Sequence, residues 1–442
     1  MLNRINTLFA ESRDLTMNRL QNDTLTIEIA YISTLCDESK VSDFILVPFT
    51  KQEHPFEELV LTNPVFKRLD DPAKWAATIL HGFVLLQLNG NIFQLDAARI
   101  IRNENPQTMV ETVIAGPQIA LSEDLIDSVN IIRSRYPNPE LAVEERTVGT
   151  MSKTRVLMLF DKRRVDPTVL TGVREKLDRV SIPMISATGE LARALGDRYR
   201  LFPTMMLTER PDRVCTGIQN GKIILLIQGS MFALILPATF FDFMNAVDDH
   251  YDSFWMTRLL LILRYLAVIL TVALPALYVA IVSYNPELFR VQLTFSIAGS
   301  RSAVPYPSFI EVFIMLFMIE ALIEASVRLP KYIGSTATTV GGLILGQAAQ
   351  QAGLVSSIMI IVTSVVAISN FVIPVNNMSG SIRFLKYPLI FPAIFFGISG
   401  VTIGLFCYLV YLADMRSFGK PYFRIVNKSA SQSGDIGQVN EE

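Results

Sequence analysis

The sequence predicts a cytoplasmic α/β domain of two similar subdomains, followed by an all-α transmembrane bundle of about four spans and one short or re-entrant helix. Three observations predict this class. Only 18% of the 442 residues are charged, whereas soluble domains usually carry about 25% charged residues. Charges become rare after Arg264, where long apolar stretches follow. In the first half, two segments resemble each other.

The apolar stretches of the second half are long enough to cross a membrane, which takes about 20 residues. The spans predicted from the absence of charge are 265–284, 354–374 and 389–412. A soluble core explains one such stretch but not three in a row. A fourth predicted helix, 303–328, is either a span or an interfacial helix, because it carries acidic residues.

The acids of this fourth helix are the candidates for an ion path. At 100° per residue, Glu320, Glu324 and Arg328 share one face, and Glu311 lies on the opposite face. A carboxylate at the bilayer centre costs about 2.5–3.5 kcal/mol, so each acid needs a partner or water. We expect Glu324 to pair with Arg328 and Glu311 to be hydrated at the interface. A symmetric ring of Glu320 side chains is one hypothesis, since acidic rings attract cations. Solvated acids on an interfacial helix are the alternative.

Small residues mark two further sites in this half. The segment 341–353 is rich in glycine and alanine and predicts a short packed or re-entrant helix. Gly-x-x-x-Gly spacing predicts close helix packing at two pairs, Gly342 with Gly346 and Gly400 with Gly404. This spacing is common, so it indicates packing and no specific partner.

The distribution of loop charges predicts the orientation in the membrane. If all four candidates span, four basic residues share one side of the membrane, namely Arg290, Arg301, Arg383 and Lys386. The other side has eight, namely Arg258, Arg264, Arg328, Lys331, Arg416, Lys420, Arg424 and Lys428. The first 25 residues contain no signal peptide. We therefore expect both termini to be cytoplasmic.

The two similar segments of the first half predict a duplicated α/β plan. Residues 82–95 and 221–234 each read as a hairpin, and a strand precedes each hairpin at 26–32 and 155–161. Chance similarity of two hairpins is the alternative. The predicted organisation is a leader (1–25), a first subdomain (26–110), a mostly helical connector (111–152), a second subdomain (153–250), a transmembrane domain (251–415) and a tail (416–442).

Residue types needed for most enzyme chemistry are scarce. The three cysteines and three histidines lie far apart, without the spacing of a zinc or redox site. No phosphate-binding, nucleophile-elbow or dinucleotide-binding motif occurs. The net charge of −2 gives no reason to expect a nucleic-acid partner. We therefore expect neither an enzyme nor a cofactor or metal site.

A dense charge cluster precedes the second hairpin. Its members are Glu209, Arg210, Pro211, Asp212 and Arg213. One interpretation is a surface turn with local ion pairs, which are worth about 0–1 kcal/mol. The other is an assembly interface with a neighbouring subunit or with the membrane-proximal face.

Several runs resemble the A subunits of bacterial spore germinant receptors, the GerA family. Two distinctive ones are the Glu-Arg-Pro-Asp motif at 209–212 and the run GGLILGQAAQQAG at 341–353. The matching stretches follow the family order through most of the chain: 116–156, 202–214, 232–243, 263–288, 327–356 and 416–422. Departures occur at Pro117-Gln118-Ile119, at Thr150-Met151 and over 50–110. Stage V sporulation AF-like proteins are the related branch.

The resemblance implies a membrane subunit in the inner membrane of the spore. Such a complex senses nutrients and starts germination, with ion release as an early event. The implied partners are a transporter-like B subunit, a C-type lipoprotein, membrane lipid and further copies of the chain in a ring around an ion path. The leading hypothesis is a ligand-gated ion-conducting subunit, and the alternative is a non-conducting signalling or assembly subunit. A secondary transporter is a third hypothesis, although it would show internal repeats in the membrane half.

Overall fold

The computed structural model describes residues 1–22, 25–51, 55–99, 107–111, 113, 116–197, 200–288, 290–328, 341–342 and 344–423. Contacts divide the chain into two compact units. Of the described residues, the N-terminal unit contains those within 1–200, 204–238 and 417–420, and the helical unit contains those within 201–203, 239–416 and 421–423. Part of the predicted tail, including Arg424 and Lys428, lies outside the described residues, as does Lys331.

Strands and short helices alternate in the N-terminal unit. Its strands are β1 (Leu15–Gln21), β2 (Thr26–Ile32), β3 (Phe66–Arg68), β4 (Phe83–Leu88), β5 (Asn91–Asp96), β6 (Leu141–Val148), β7 (Thr154–Asp161), β8 (Met206–Thr208), β9 (Ile223–Ile227) and β10 (Ala233–Leu236). Its helices are α1 (Leu2–Leu8), α2 (Glu38–Val41), α3 (Val47–Lys51), α4 (Phe56–Thr62), α5 (Trp75–Leu80), α6 (Leu125–Arg135), α7 (Pro167–Asp178), α8 (Thr188–Leu195) and α9 (Pro211–Gln219). A π-helical turn, Ser42–Leu46, joins α2 to α3.

The two sheets of this unit have the same topology. The strand orders are β1-β2-β4-β5-β3 and β6-β7-β9-β10-β8, and the strand pairs described are antiparallel. Adding five to each strand number converts the first order into the second. Both hairpins lie where the sequence predicts them, and Asn89 and Gly90 both have positive φ in the first turn. The similarity therefore covers the whole plan of each sheet.

Helices cover both faces of the first sheet. Ile27, Ile29 and Val84 pack with the helices that follow β2, whereas Ala30 and Ile32 pack with Ile5 of α1 and Ile79 of α5 on the opposite face. Strands buried on both faces read as continuous apolar runs. This burial explains why TIEIAYI and FVLLQL contain so few charges.

Two segments differ from the predicted organisation. The predicted leader contains α1 and β1, and β1 pairs with β2 from Leu15 opposite Ile32 to Gln21 opposite Thr26. The predicted connector contains α6 but also β6, an edge strand of the second sheet. Both strands are edge strands with several polar side chains, so their sequences lack the apolar runs of the central strands.

The helical unit is almost entirely α-helical over its described residues. Its helices are α10 (Phe240–Met244), α11 (Phe254–Tyr284), α12 (Val291–Arg301), α13 (Ser308–Arg328), α14 (341–342 and 344–351), α15 (Ser357–Val372) and α16 (Asn376–Asp414). Short 3₁₀ turns, Asp248–His250 and Pro286–Leu288, flank α11. The pair β11 (Arg416–Ser417) and β12 (Lys420–Pro421) follows α16.

Two of these helices are long and apolar enough to cross a membrane, namely α11 and α16. They contain the predicted spans 265–284 and 389–412. The helix α15 is apolar but shorter, and α13 carries Glu311, Glu320, Glu324 and Arg328. The remaining two spans stay predictions.

The helix α16 is a hairpin with its turn at Gly397. Gly397 has φ 59° and ψ −137°, a conformation that is accessible essentially to glycine alone. Beyond the turn, a Cβ on Gly404 would lie 2.5 Å from Leu389 Cδ1, and the Tyr408 hydroxyl donates to the Leu385 carbonyl oxygen at 2.9 Å. In a straight helix, residues 385 and 408 would lie about 34 Å apart. The predicted span 389–412 is therefore two antiparallel limbs, 376–396 and 398–414.

The positions of several basic residues also differ from the loop-charge prediction. Arg383 and Lys386 belong to the first limb of α16 and not to a loop. Arg264 lies inside α11, where it is buried and donates to Asp249 at 2.5 Å. These three residues are paired with acids. They therefore do not belong in a comparison of the basic residues in loops on the two sides of the membrane.

Candidate functional site

Glu311 lies in the first turn of α13 and is fully buried. It accepts hydrogen bonds from the Ser356 amide at 2.6 Å, the Ser356 hydroxyl at 2.5 Å and the Tyr278 hydroxyl at 3.1 Å. Arg301 Nε lies 3.4 Å from its second carboxylate oxygen. The expectation of a hydrated Glu311 at the interface is therefore wrong, because protein groups replace water around this carboxylate.

The Glu311 cluster joins four helices. Tyr278 belongs to α11, Arg301 is the last residue of α12, and Ser356 is the N-cap of α15. The Ser356 hydroxyl also accepts from the Met359 amide at 3.2 Å. Because a buried carboxylate needs its partners, any movement of α12 or α15 relative to α13 disturbs this cluster.

Glu320 forms a second cluster with the first limb of α16. Lys386 Nζ donates to Glu320 at 2.8 Å, and Arg383 Nη1 lies 3.6 Å from the other carboxylate oxygen. Lys386 is fully buried, whereas the Glu320 side chain is 28% exposed. Two cations therefore face one acid. The Arg383 Nε is buried and has no hydrogen-bond partner.

The three acids of α13 occupy three separate surroundings. Glu324 pairs with Arg328 at 2.6 Å on the exposed surface, as the spacing predicts. Glu311 and Glu320 face different helices. The structure thus assembles two charge clusters, one around Glu311 and one around Glu320, and sequence reasoning missed their partners. In the sequence, Arg301, Arg383 and Lys386 indicate only a positive charge on one predicted side of the membrane.

The paired glycines lie at helix contacts. A Cβ on Gly400 would collide with the Pro392 carbonyl oxygen and lie 3.0 Å from Phe396 Cβ, so Gly400 and Gly404 both face the first limb of α16. A Cβ on Gly342 would lie 3.3 Å from Leu322 of α13, and one on Gly346 would lie 4.0 Å from Ile360 of α15. Close packing is tightest at Gly400, where the neighbour is backbone.

The charge cluster of the N-terminal unit is buried. Glu209 and Arg210 are both fully buried. Glu209 accepts from the amides of Val110 and Glu111 at 2.6 and 2.9 Å. Arg210 donates to Asp212 at 2.6 Å and to the carbonyl oxygens of Glu111 and Pro117, both at 3.1 Å. The surface-turn interpretation does not describe these two residues, because they are buried and have partners about 100 positions earlier in the chain. The assembly interface stays a prediction.

Among the remaining members of this motif, Pro211 is buried, whereas Asp212 and Arg213 are partly buried. Pro211 begins α9, where the missing amide costs nothing, and Arg213 Nη1 lies 3.4 Å from Glu111. Burial opposes ionisation of Asp212, but the hydrogen bond and charge of Arg210 outweigh it and lower the pKa of Asp212. Burial raises the pKa of Glu111, against the lowering effect of Arg213. The motif therefore fastens Val110, Glu111 and Pro117 to the segment that follows β8.

Metal binding has no donor set in the part of the chain that the structure describes, since no group of three His, Cys, Asp or Glu side chains converges there. The cysteines are free: Cys36 is buried, Cys215 half-buried and Cys407 exposed. Burial raises the pKa of Cys36 to about 12 and that of Cys215 to about 11. These two thiols are poorly ionised at neutral pH and are inert while the fold is intact.

Relatives of known name cover most of the chain. YfkQ of Bacillus subtilis, an uncharacterized membrane protein, is 33% identical over 89% of this chain and 79% of its own length. Spore germination protein A1 of the same organism is 31% identical over 93% of this chain and 87% of its own length. Spore germination protein B1 is 36% identical over 71% of this chain and 65% of its own length.

Part of the chain resembles a domain of known structure. It is the N-terminal domain of the A subunit of the Bacillus megaterium spore germinant receptor GerK3, at 21% identity and a TM-score of 0.42, covering 54% of this chain and 94% of that one. The Bacillus/Clostridium GerA spore germination protein family matches residues 3–437. The chain therefore belongs to the GerA spore germination protein family.

Proposed function

We propose that this chain is a membrane subunit of a spore germinant receptor complex that responds to nutrients and triggers germination. The family match over residues 3–437 carries the proposal. The proposed site is the inner membrane of the spore, with a transporter-like B subunit and a C-type lipoprotein as partners. The proposal assigns the chain no catalytic activity.

Exposed aromatic side chains of the helical unit support its insertion in a bilayer. Trp255, Phe317, Phe395 and Phe396 are each between 68% and 81% exposed. A core helix of a soluble protein would bury such residues, and soluble monomers rarely expose large contiguous apolar surface. Lipid or neighbouring subunits cover these side chains under the proposed function.

The contacts within the helical unit support an even number of crossings. The Phe240 amide, which precedes α11, donates to the Tyr422 carbonyl oxygen, which follows α16, at 3.1 Å. The chain therefore enters and leaves the helical bundle at one end. The opposite end contains Tyr284, whose hydroxyl donates to the Ile394 carbonyl oxygen near the Gly397 turn. We assign the first end, and both termini with it, to the cytoplasm.

Ion conduction by a ring of these subunits is the finer part of the proposal. The observation that supports it is the cluster of Glu320, Arg383 and Lys386 near the middle of two helices of the bundle. Ionisable residues at membrane depth are expensive and usually functional. Lys386 already neutralises Glu320, so a bare acidic ring is not available until this ion pair opens. We propose that ligand-driven opening of the pair exposes Glu320 to the path.

A non-conducting signalling or assembly role is the second candidate. It is favoured by the pairing itself, because each acid of α13 has a cationic partner within 3.4 Å. In this second role, the ion pairs hold the helices together and do nothing else. Breaking a buried pair by removing one member costs about 3–5 kcal/mol, so a purely structural pair predicts loss of protein when Glu320 is replaced.

Spores that carry a chromosomal Glu320→Gln variant separate these two roles. We expect normal amounts of the protein in spore membranes, with slow potassium release and slow germination after addition of nutrient broth. Glu324→Gln is the matched control, because Glu324 lies one turn further along and its pair is solvent-exposed. Loss of the Glu320→Gln protein from the membrane supports the structural role, and unchanged release and germination contradict both.

A further inference from the structure

We propose that the helical unit itself binds a small free carboxylate, in a cavity between the end of α11 and the helix α12. The inference goes beyond the proposed function, in which the chain responds to nutrients without an assigned ligand site. It rests on the proposed function only for the side of the membrane from which the ligand arrives.

The cavity has a volume of about 370 Å³. Its described lining consists of Val282, Pro286, Thr294, Ile297, Ala298, Arg301 and Ser302. Small-molecule sites of this size are mostly apolar and contain a few polar groups that fix the ligand. Here Val282, Ile297 and Ala298 supply the apolar wall, and Arg301 supplies the charge.

Arg301 uses few of its five N–H donors. Its Nη2 donates to the Tyr306 carbonyl oxygen at 3.3 Å. Its Nε lies 3.4 Å from Glu311, yet the geometry gives this buried nitrogen no hydrogen-bond partner. A guanidinium presents a planar fork that matches a carboxylate. An arginine with unused donors on the wall of a cavity therefore has the chemistry of an anion site.

The charge balance favours a monoanion. Only one cation, Arg301, belongs to the described lining, and Glu311 already faces it from the protein side. Arg301 and Glu311 together carry no net charge, so a dianionic phosphate would leave a net charge of −2 beside the buried Glu311, whereas a single carboxylate leaves only −1. The hydroxyls of Thr294 and Ser302 already donate to backbone oxygens of Pro286 and Gly299. They remain available as acceptors for a polar group of the ligand.

The site is connected to the helical core through Glu311. A carboxylate that binds Arg301 competes with Glu311 for the same guanidinium. Glu311 then depends more on Tyr278 and Ser356, which belong to α11 and to the N-terminus of α15. Occupancy of the cavity is thereby coupled to the packing of α11, α13 and α15.

Equilibrium binding of radiolabelled propionate to the full chain in phosphatidylcholine nanodiscs tests the inference. Nanodiscs expose both membrane faces, so the result is independent of topology and of ion conduction. We expect saturable binding that propionamide does not displace. Arg301→Gln should weaken it about tenfold or more, since a charged hydrogen bond is lost. Arg290→Gln is the control, because Arg290 is an exposed arginine at the opposite end of α12.

A second variant tests the cavity independently, in case Arg301→Gln misfolds. Ala298→Leu fills the cavity but keeps Arg301 and its contact with Glu311, and it should also abolish binding. The inference is overturned if the protein binds no propionate, if both variants bind like the unmodified chain, or if propionamide displaces propionate. Nanodiscs that also contain phosphatidylglycerol test a lipid as the ligand. The inference is overturned if this lipid alone competes for the site, since the site then binds a lipid phosphate.

Discussion

Arg133, Arg210 and Lys386 are fully buried, and each meets a carboxylate. Arg133 donates to both oxygens of Asp14, at 2.6 and 2.7 Å, and so ties α6 to the start of β1. A buried charge without a partner costs several kcal/mol. These pairs therefore fix which segments of the chain pack together.

Replacing Arg210 should destabilise the N-terminal unit. Arg210→Gln removes the buried guanidinium that pairs with Asp212 and loses two bonds to backbone oxygens, so we expect a loss of stability of about 3–5 kcal/mol. Cys215, one turn away in α9, reports local opening because its thiol is half-buried. Its labelling, measured by mass spectrometry in a Cys407→Ser background, should accelerate by more than about a hundredfold.

The control for this measurement is Arg179→Gln. Arg179 is 79% exposed and its partner Glu175 is 57% exposed, so labelling of Cys215 should not change. Unchanged labelling in Arg210→Gln, together with poor recovery of the receptor complex from membranes, would support the assembly role predicted for Glu209, Arg210, Pro211, Asp212 and Arg213.

The stabilising effect of Asp212 should depend on pH in the acid range. Its pKa is lowered in the folded chain, so its contribution is fully present above the unfolded value of about 3.9. That contribution is lost as the pH falls through the lower, folded value. Asp212→Asn should therefore lower the urea midpoint near pH 7, and the difference from the unmodified chain should shrink below about pH 4. A difference that grows on acidification contradicts the assigned pairing.

At the scale of elements, apolar runs predicted helices well but not their turns. The run that contains 389–412 is uncharged across Gly397, and hydropathy is the same for a straight helix and for a hairpin. The reversal depends on one φ value and on packing against Leu389 and Pro392. Similarly, α12 carries no strong apolar periodicity, so its sequence does not predict a helix.

In the N-terminal unit, local sequence is sufficient to predict a hairpin turn but not to predict the burial of a charged residue. Asn89-Gly90 fixes the β4–β5 turn through backbone conformations that these residues favour, and this hairpin was confirmed. Burial of Glu209 was not predictable, because charge clusters are usually exposed and its amide partners come from residues 110 and 111. The partners of Glu311 and Glu320 were missed for the same reason, since each belongs to another helix.

The hairpin of α16 can be tested by cross-linking. In Cys407→Ser, the pair Leu389→Cys and Gly404→Cys should react with a bismaleimide of about 8 Å, whereas a straight helix would hold these positions about 22 Å apart. Gly400→Ala should reduce the yield, because its Cβ meets the Pro392 carbonyl oxygen. Gly380→Ala has open space around it and should not. Absence of the cross-link in the starting protein contradicts the turn at Gly397.

At the scale of the whole molecule, the helical unit has two chemically different ends. One end joins the segments before α11 and after α16. The other contains the Gly397 turn, the Glu311 cluster and the cavity beside Arg301. The charged pair of Glu320 and Lys386 lies between them along α13 and α16. Under the proposed topology, a ligand site on the outer end and an ion path at mid-depth are linked by α13.

Labelling from outside intact cells tests this topology. In Cys407→Ser, an impermeant maleimide should modify Leu288→Cys, beyond the end of α11, but not Asn245→Cys, before its start. Leu288 is 62% exposed and Asn245 is also exposed. Modification of Asn245→Cys from outside would contradict the proposed cytoplasmic position of the termini.

Current recording from the purified full chain in planar bilayers tests the central claim most directly. We predict discrete conductance steps for the unmodified chain in the presence of its partner subunits and nutrient broth. Glu320→Gln should reduce cation selectivity or conductance, whereas Glu324→Gln should leave both unchanged. Conductance that is identical in the unmodified chain and in Glu320→Gln, or no conductance from any assembled complex, would contradict an ion path at Glu320.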